Sequence, residues 1–229
     1  MIPIRDTIPS SRVPVVNYLL VAANLGLFIY EISLGESLPP FLERYAVVPA
    51  RLLGGGALSV RELLTPVTAM FLHGGWMHVL GNMLYLYIFG DNVEDTLGHG
   101  RYLLFYIACG VASFAVQIGF QSVSTVPNIG ASGAIAGVLG AYFLLFPRAR
   151  VVTLLPLFIF FTVVEIPAVF FLGLWFLLQF LSGTVSLGRA AATGGVAWWA
   201  HVGGFVAGVV FLKAFSIRGR GKGRGETTV

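Results

Sequence analysis

Charged residues are scarce in this chain. Only 10% of its 229 residues are Asp, Glu, Lys or Arg, against about 25% in an average soluble domain. So few charges cannot coat a water-facing surface of this size. That excludes an ordinary soluble enzyme, a disordered chain, and a nucleic-acid binder working through a charged face. Cysteine is rarer still. Cys109 stands alone, so neither an intramolecular disulfide nor a cysteine-rich metal site can form. The H-E-x-x-H pattern of helical zinc proteases is absent. The apolar blocks also lack the period-two alternation of an outer-membrane barrel.

What is abundant is apolar: 57% of the residues are hydrophobic, and they come in long runs. The expected fold class is an all-α polytopic membrane protein of one domain, since no soluble stretch is long enough to bury its own core. A crossing helix needs roughly 20 apolar residues. Candidate spans fall at 13–32, 76–89, 102–120, 132–146, 166–181 and 196–217. The continuous run 151–181 is too long for one straight span and too short for two. Glu165 and Pro167 divide it, suiting a helix start. Residues 151–164 are therefore expected to lie along the interface before the fifth span. No small-residue cleavage site follows the first apolar block, which reads as a retained span.

Six spans place both termini on one side. With the N-terminus in the cytoplasm, ten of the fourteen Lys and Arg residues fall inside: Arg5, Arg12, Arg101, Arg148, Arg150, Lys213, Arg218, Arg220, Lys222 and Arg224. Arg44, Arg51, Arg61 and Arg189 fall outside, mostly in the long first loop. The short loops thus follow the positive-inside rule, N-in and C-in. The expected organisation is a cytoplasmic segment 1–12, a six-span domain 13–217, and a basic Gly/Arg cytoplasmic tail 218–229. The first loop, 33–75, mixes Pro39, Pro40 and Pro49 with Leu52, Leu53, Leu63 and Leu64, and is expected to form short helices half sunk in the outer leaflet.

In this topology spans two, four and six all begin at the outer face. His78 and Asn82 lie near the start of span two, Ser132 starts span four, and His201 is near the start of span six. Polar groups in hydrocarbon are costly unless they pair or face a wet cavity. Convergence of these four satisfies them, and it has the composition of a nucleophile, a base and an oxyanion site. Ser132 stands in Gly130-Ala-Ser132-Gly133 at a helix start, where free backbone N–H groups can stabilise an oxyanion. Taken alone, a serine there is more often a cap. His201 is followed by Gly204 and Gly208 on one face, and span four shows Gly133 and Gly137 on its own. Small residues so spaced let backbones approach, and a Ser–His hydrogen bond requires that closeness. His78 and Asn82, four apart, share a face. They either donate to an oxyanion or tie span two to its neighbours. His73 reads as a structural tie for the first loop, and His99 falls on the opposite side of the membrane.

Three segments together resemble a known family, the rhomboid intramembrane serine proteases: His73-Gly-Gly-Trp-Met-His78-Val-Leu-Gly-Asn82, Gly130-Ala-Ser132-Gly133, and Ala200-His201-Val-Gly-Gly204 with Gly208. They occur in the expected order on the expected spans, and the likeness covers roughly residues 13–215. The resemblance implies a Ser132–His201 dyad without a third acid. It also implies an oxyanion site of His78, Asn82 and backbone N–H groups, and single-span helices as substrates. No cofactor, metal or nucleic acid is implied, and the oligomeric state is open. The expected setting is the cytoplasmic membrane of a bacterium, with the site facing its outer side. Span five becomes the movable wall for substrate, with Phe171 and Trp175 either plugging it or simply packing. Ala136 stands where some members carry a Tyr against the catalytic His. Other readings are a rhomboid-like pseudoprotease that binds membrane clients without cutting, and a small transporter. The transporter lacks a mid-membrane carboxylate, since Glu31 and Glu165 both lie near span ends.

Overall fold

The computed structural model describes residues 1–55, 57–157, 160–187 and 195–216. Nine α-helices are found among them: α1 (Val15–Ser33), α2 (Leu38–Tyr45), α3 (Pro49–Leu53), α4 (Val60–Thr68), α5 (Trp76–Leu97), α6 (His99–Phe120), α7 (Ser132–Leu145), α8 (Ala168–Leu187) and α9 (Trp198–Ser216). Four of them, α1, α6, α8 and α9, are long and apolar enough to cross a membrane. Helix α7 is apolar but has 14 residues, about 21 Å at 1.5 Å per residue. Helix α5 is long, with Asp91, Glu94 and Asp95 in its last turns. The chain is a mostly helical, polytopic membrane protein.

Helix α7 is the hub. It packs against α5, α6, α8 and α9, and Gly133 through Tyr142 are all buried. A helix apolar all round belongs in an interior, and Gly-Ala-Ile-Ala-Gly-Val-Leu-Gly-Ala leaves room for neighbours on every side. Helix α1 is held at its start by Glu94 of α5, whose carboxylate accepts the N–H groups of Val16 (2.9 Å) and Asn17 (2.7 Å). An anion there complements the helix dipole. Asn17 donates to the Leu86 carbonyl and accepts from Tyr102, joining α1, α5 and α6. Gly90 is required at this junction, because a Cβ would lie 2.1 Å from the Asn17 Oδ1. His99 closes the α5–α6 corner against Glu94.

The expectation of an all-α chain, with 151–164 lying flat, is corrected here. Residues 150–157 and 160–167 form β2 (Arg150–Leu157) and β3 (Phe160–Pro167), paired antiparallel from Arg150 opposite Pro167 to Leu157 opposite Phe160. The N-terminal segment adds β1 (Ile2–Asp6) to the other edge of β2, with Ile2 opposite Leu154 and an irregularity between Pro3 and Arg5. Val151, Val152, Thr153, Val163 and Val164 favour a pleated, half-buried surface, and hydropathy alone cannot separate such a run from a helix. Helix α8 begins at Ala168, directly after the last strand. The sheet is clamped to the bundle through Asp6, which accepts from Tyr142 of α7 (2.5 Å) and Asn92 of α5 (2.9 Å). Burial pushes the Asp6 carboxyl up to about 6, and nearby Asp91 adds to this.

The first loop contains short helices, as expected of its composition. Helix α4 opens with a reciprocal Ser59–Glu62 capping box. Arg189 and the basic tail residues Arg218, Arg220, Lys222 and Arg224 lie outside the described residues, as does the boundary expected at 217.

Candidate active site

The site lies at the end of the bundle opposite the sheet, where α7 begins. Its turn is built by distant backbone. Val47 of the first loop and Asn128 exchange two hydrogen bonds, of 3.1 and 2.8 Å, and Gly130 N–H donates to the Ala69 carbonyl at 2.8 Å. Gly130 has φ of +122°, a conformation that L side chains rarely adopt. A Cβ there would also lie 2.7 Å from Nε2 of His78. The glycine before Ala131-Ser132 is therefore demanded twice, by backbone angle and by the ring against it.

Ser132 Oγ and His201 Nε2 are 2.8 Å apart. The seam behind them explains how. A Cβ on Gly204 would sit 2.0 Å from the Gly133 carbonyl oxygen, and one on Gly208 would sit 2.0 Å from that of Gly137. Helices α7 and α9 thus touch through bare backbone, which no larger residue permits. Gly133 and Gly137 also face α6, where added Cβ atoms would meet Ser113 and Cys109.

His78 is aimed at the same place. Its Nδ1 faces the Gly74 N–H at 3.4 Å, a weak contact that leaves Nε2 as the protonated nitrogen. That Nε2 lies 2.7 Å from the point where a Gly130 Cβ would stand, and Ser132 Oγ lies 3.7 Å from it. Asn82 is placed differently from the simple expectation of a His78 partner. Its Nδ2 bonds to His73 Nε2 at 3.0 Å, and the His73 ring stands edge-on to His78 with centroids 5.0 Å apart. An amide nitrogen carries two hydrogens, so one remains for a ligand. His73 also donates its backbone N–H to Glu31 of α1 at 3.2 Å. It is a tie for the loop and, beyond that reading, the support of Asn82.

Phe171 and Trp175 both turn inward, but to different places. Phe171 is 2% exposed, against 70% for Phe170 beside it, and it stacks with Tyr85 and Phe89 of α5. Trp175 faces His201, with ring centroids 5.9 Å apart. It supplies the aromatic contact that Ala136 does not. Sequence reasoning misses the contact on the far side of the imidazole: Gln179 of α8 accepts from His201 Nδ1 at 2.6 Å. A signal exists for it, since Gln179 is a lone amide in an apolar span, where a polar side chain needs a partner. Gln117 of α6 is a second residue of this kind. It accepts the Ala200 N–H at 3.1 Å and steadies the first turn of α9.

The arrangement offers a hydroxyl bonded to an imidazole. The first N–H groups of α7, which have no intrahelical acceptor, lie beside it, and a histidine N–H points to the same spot. This is the equipment of nucleophilic acyl transfer.

Comparison with known proteins covers the same part of the chain. The sequence matches the rhomboid domain family over residues 60–218. The rhomboid protease GluP of Bacillus subtilis (strain 168) is 36% identical over 129 residues, 56% of this chain and 24% of that protein. Rhomboid protein 1, mitochondrial, of Saccharomyces cerevisiae is 28% identical over 201 residues, 84% of this chain and 52% of that one. The putative rhomboid protease YdcA of Bacillus subtilis is 35% identical over 81 residues, 35% of this chain and 39% of that protein. The chain thus spans between about a quarter and a half of the length of these relatives.

Proposed function

The chain belongs to the rhomboid family, and from that premise we propose that it is an intramembrane serine endopeptidase acting through Ser132 and His201. The observation that carries this reading is the 2.8 Å bond between Ser132 Oγ and His201 Nε2, set where α7 presents unpartnered N–H groups. Ser132 attacks the scissile carbonyl of a transmembrane substrate as His201 Nε2 takes the hydroxyl proton. The tetrahedral oxyanion is received by N–H groups at the start of α7, by His78 and by Asn82. The same Nε2 returns its proton to the leaving amine. Water, activated by His201, then hydrolyses the acyl-enzyme.

The membrane setting is part of the proposal. Helices α1, α5, α6, α7, α8 and α9 are the six spans of a domain covering 13–217. Both termini, with segment 1–12 and tail 218–229, are cytoplasmic. The site opens on the outer side of a bacterial cytoplasmic membrane. The charge split among the described Lys and Arg residues, and the position of the sheet at the opposite end from Ser132, support this. Substrate reaches the dyad beside α8, where Phe171 and Trp175 line the inner face. A paired, hydrogen-bonded Ser and His argues against a client-binding pseudoprotease, which has no use for them.

The test combines cleavage and labelling. Purified protein in detergent is expected to cut a single-span reporter and to react with a fluorophosphonate. Ser132→Ala and His201→Ala should both fall to background cleavage, and the double variant no lower. Asn82→Ala is expected to lose about 10²–10³ in kcat, the usual cost of one oxyanion donor. Cleavage retained by Ser132→Ala would remove the mechanism.

A further inference from the structure

Helix α8 does more at this site than border it. Two of its residues one turn apart, Trp175 and Gln179, both reach His201: Trp175 lays its ring against the imidazole, and the Gln179 Oε1 accepts from Nδ1 at 2.6 Å. The acceptor is a carbonyl oxygen, so Nδ1 holds the proton and the Nε2 lone pair is turned to the Ser132 hydroxyl. That is the tautomer a general base requires, and in a Ser–His–acid triad a carboxylate imposes it. Here a neutral amide stands in that position, within a helix whose neighbouring residues, Phe176, Leu177, Leu178 and Phe180, are all apolar. The buried Nδ1–H would otherwise have no acceptor, at a cost in desolvation.

The support is also conditional. Helix α9, which carries His201, is locked to α7 through glycine backbone. Gln179 instead rides on α8, which meets α9 through side chains: Trp175 and Phe176 against Phe205, and Phe180 against Trp199. An outward shift of α8 by an ångström or two breaks a 2.6 Å hydrogen bond and leaves the α7–α9 seam intact.

We propose that Gln179 is a positioning residue for the general base, so that the dyad is aligned only while α8 is seated against α9. This rests on the serine-protease reading, and the experiment separates the two. Gln179→Met keeps the length and removes the acceptor. Its cleavage of the single-span reporter should fall about 10–100-fold in kcat with KM nearly unchanged, the range for losing a hydrogen bond that orients a group becoming charged. Fluorophosphonate labelling of Ser132 should slow by a similar factor. That probe is small and does not need α8 to admit a helix, so a defect in substrate access alone leaves labelling at the wild-type rate.

Gln179→Glu replaces the amide by a carboxylate that favours imidazolium. The acid limb of its kcat/KM profile should move to higher pH; a purely structural role leaves the limb in place. His78 is the titratable neighbour of His201 and is unaltered in both variants. Wild-type cleavage and labelling rates in Gln179→Met, or a Gln179→Glu profile superimposed on the wild type, overturn the proposal while the protease reading stands. Wild-type protein that neither cuts nor labels at Ser132 overturns both.

Discussion

Helix α9 is held by two neighbours in opposite ways. Against α7 it is backbone on backbone: Gly204 and Gly208 press on the carbonyls of Gly133 and Gly137, with 2.0 Å from each would-be Cβ to oxygen. Against α8 it meets mostly rings and one amide, with Gly183 lying close under the Trp199 ring. The glycine seam itself has no adjustable part, because bare backbone has no rotamers; Phe143 against Phe205 is a ring contact beside it. The contact with α8 is made mostly of side chains that can repack. The 2.8 Å distance between Ser132 and His201 thus rests on the rigid seam, and the α8 side of the imidazole rests on side chains that can repack.

That contrast can be broken most severely at the seam. Gly204→Val places branched carbon inside the Gly133 carbonyl, so overpacking should cost about 3 kcal/mol or more. Loss of the folded transition in a detergent melt, together with loss of cleavage, is the expected result. A variant that melts and cuts like the wild type would show that α7 and α9 are not in backbone contact. Trp175→Ala acts on the other face and should be milder. It is expected to keep a cooperative melt while raising, a few-fold, the ratio of reporter cleavage to fluorophosphonate labelling. Removing the ring eases access for a helix but not for a small probe. An unchanged ratio means Trp175 packs without gating.

The smallest expected effect lies at the far end of the bundle. Asp6 has its carboxyl raised from 3.8 to about 6. A raised acid binds its proton more tightly in the folded state, so stability falls as pH rises from about 4 to 6 and stays lower above that. Asp6→Asn removes the charge and keeps the acceptor for Tyr142. Its melting midpoint should match the wild type near pH 4 and exceed it by a few degrees at pH 7.5. A difference that does not vary with pH would show that Asp6 ionises as freely folded as unfolded.

Much of this molecule is legible in its amino-acid order. The expected starts at 13, 76, 132 and 196 fall within two residues of the helices beginning at Val15, Trp76, Ser132 and Trp198, because hydropathy and glycine punctuation are local signals. Ser132, His201 and the glycines around them are legible because two helices carry matching small-residue faces. The sheet is not. Residues 150–167 read equally well as an apolar interfacial segment, and the strand that completes them, Ile2–Asp6, comes from the other end of the chain. The His73 support of Asn82 is half legible: its place at the loop junction is visible, but not its partner nine residues on.

Composition and spacing alone specify the class of molecule, its apolar helices and the chemical types assembled at the site, since burial in lipid and close helix approach depend on little else. Which polar group serves which is settled by packing. Gln179 and Phe171 both lie on α8, eight residues apart, yet one bonds the His201 imidazole and the other stacks on α5. Spacing along a helix sets which side chains share a face. The rotation of that helix against its neighbours sets what the face meets, and that rotation follows from packing contacts made by several helices at once.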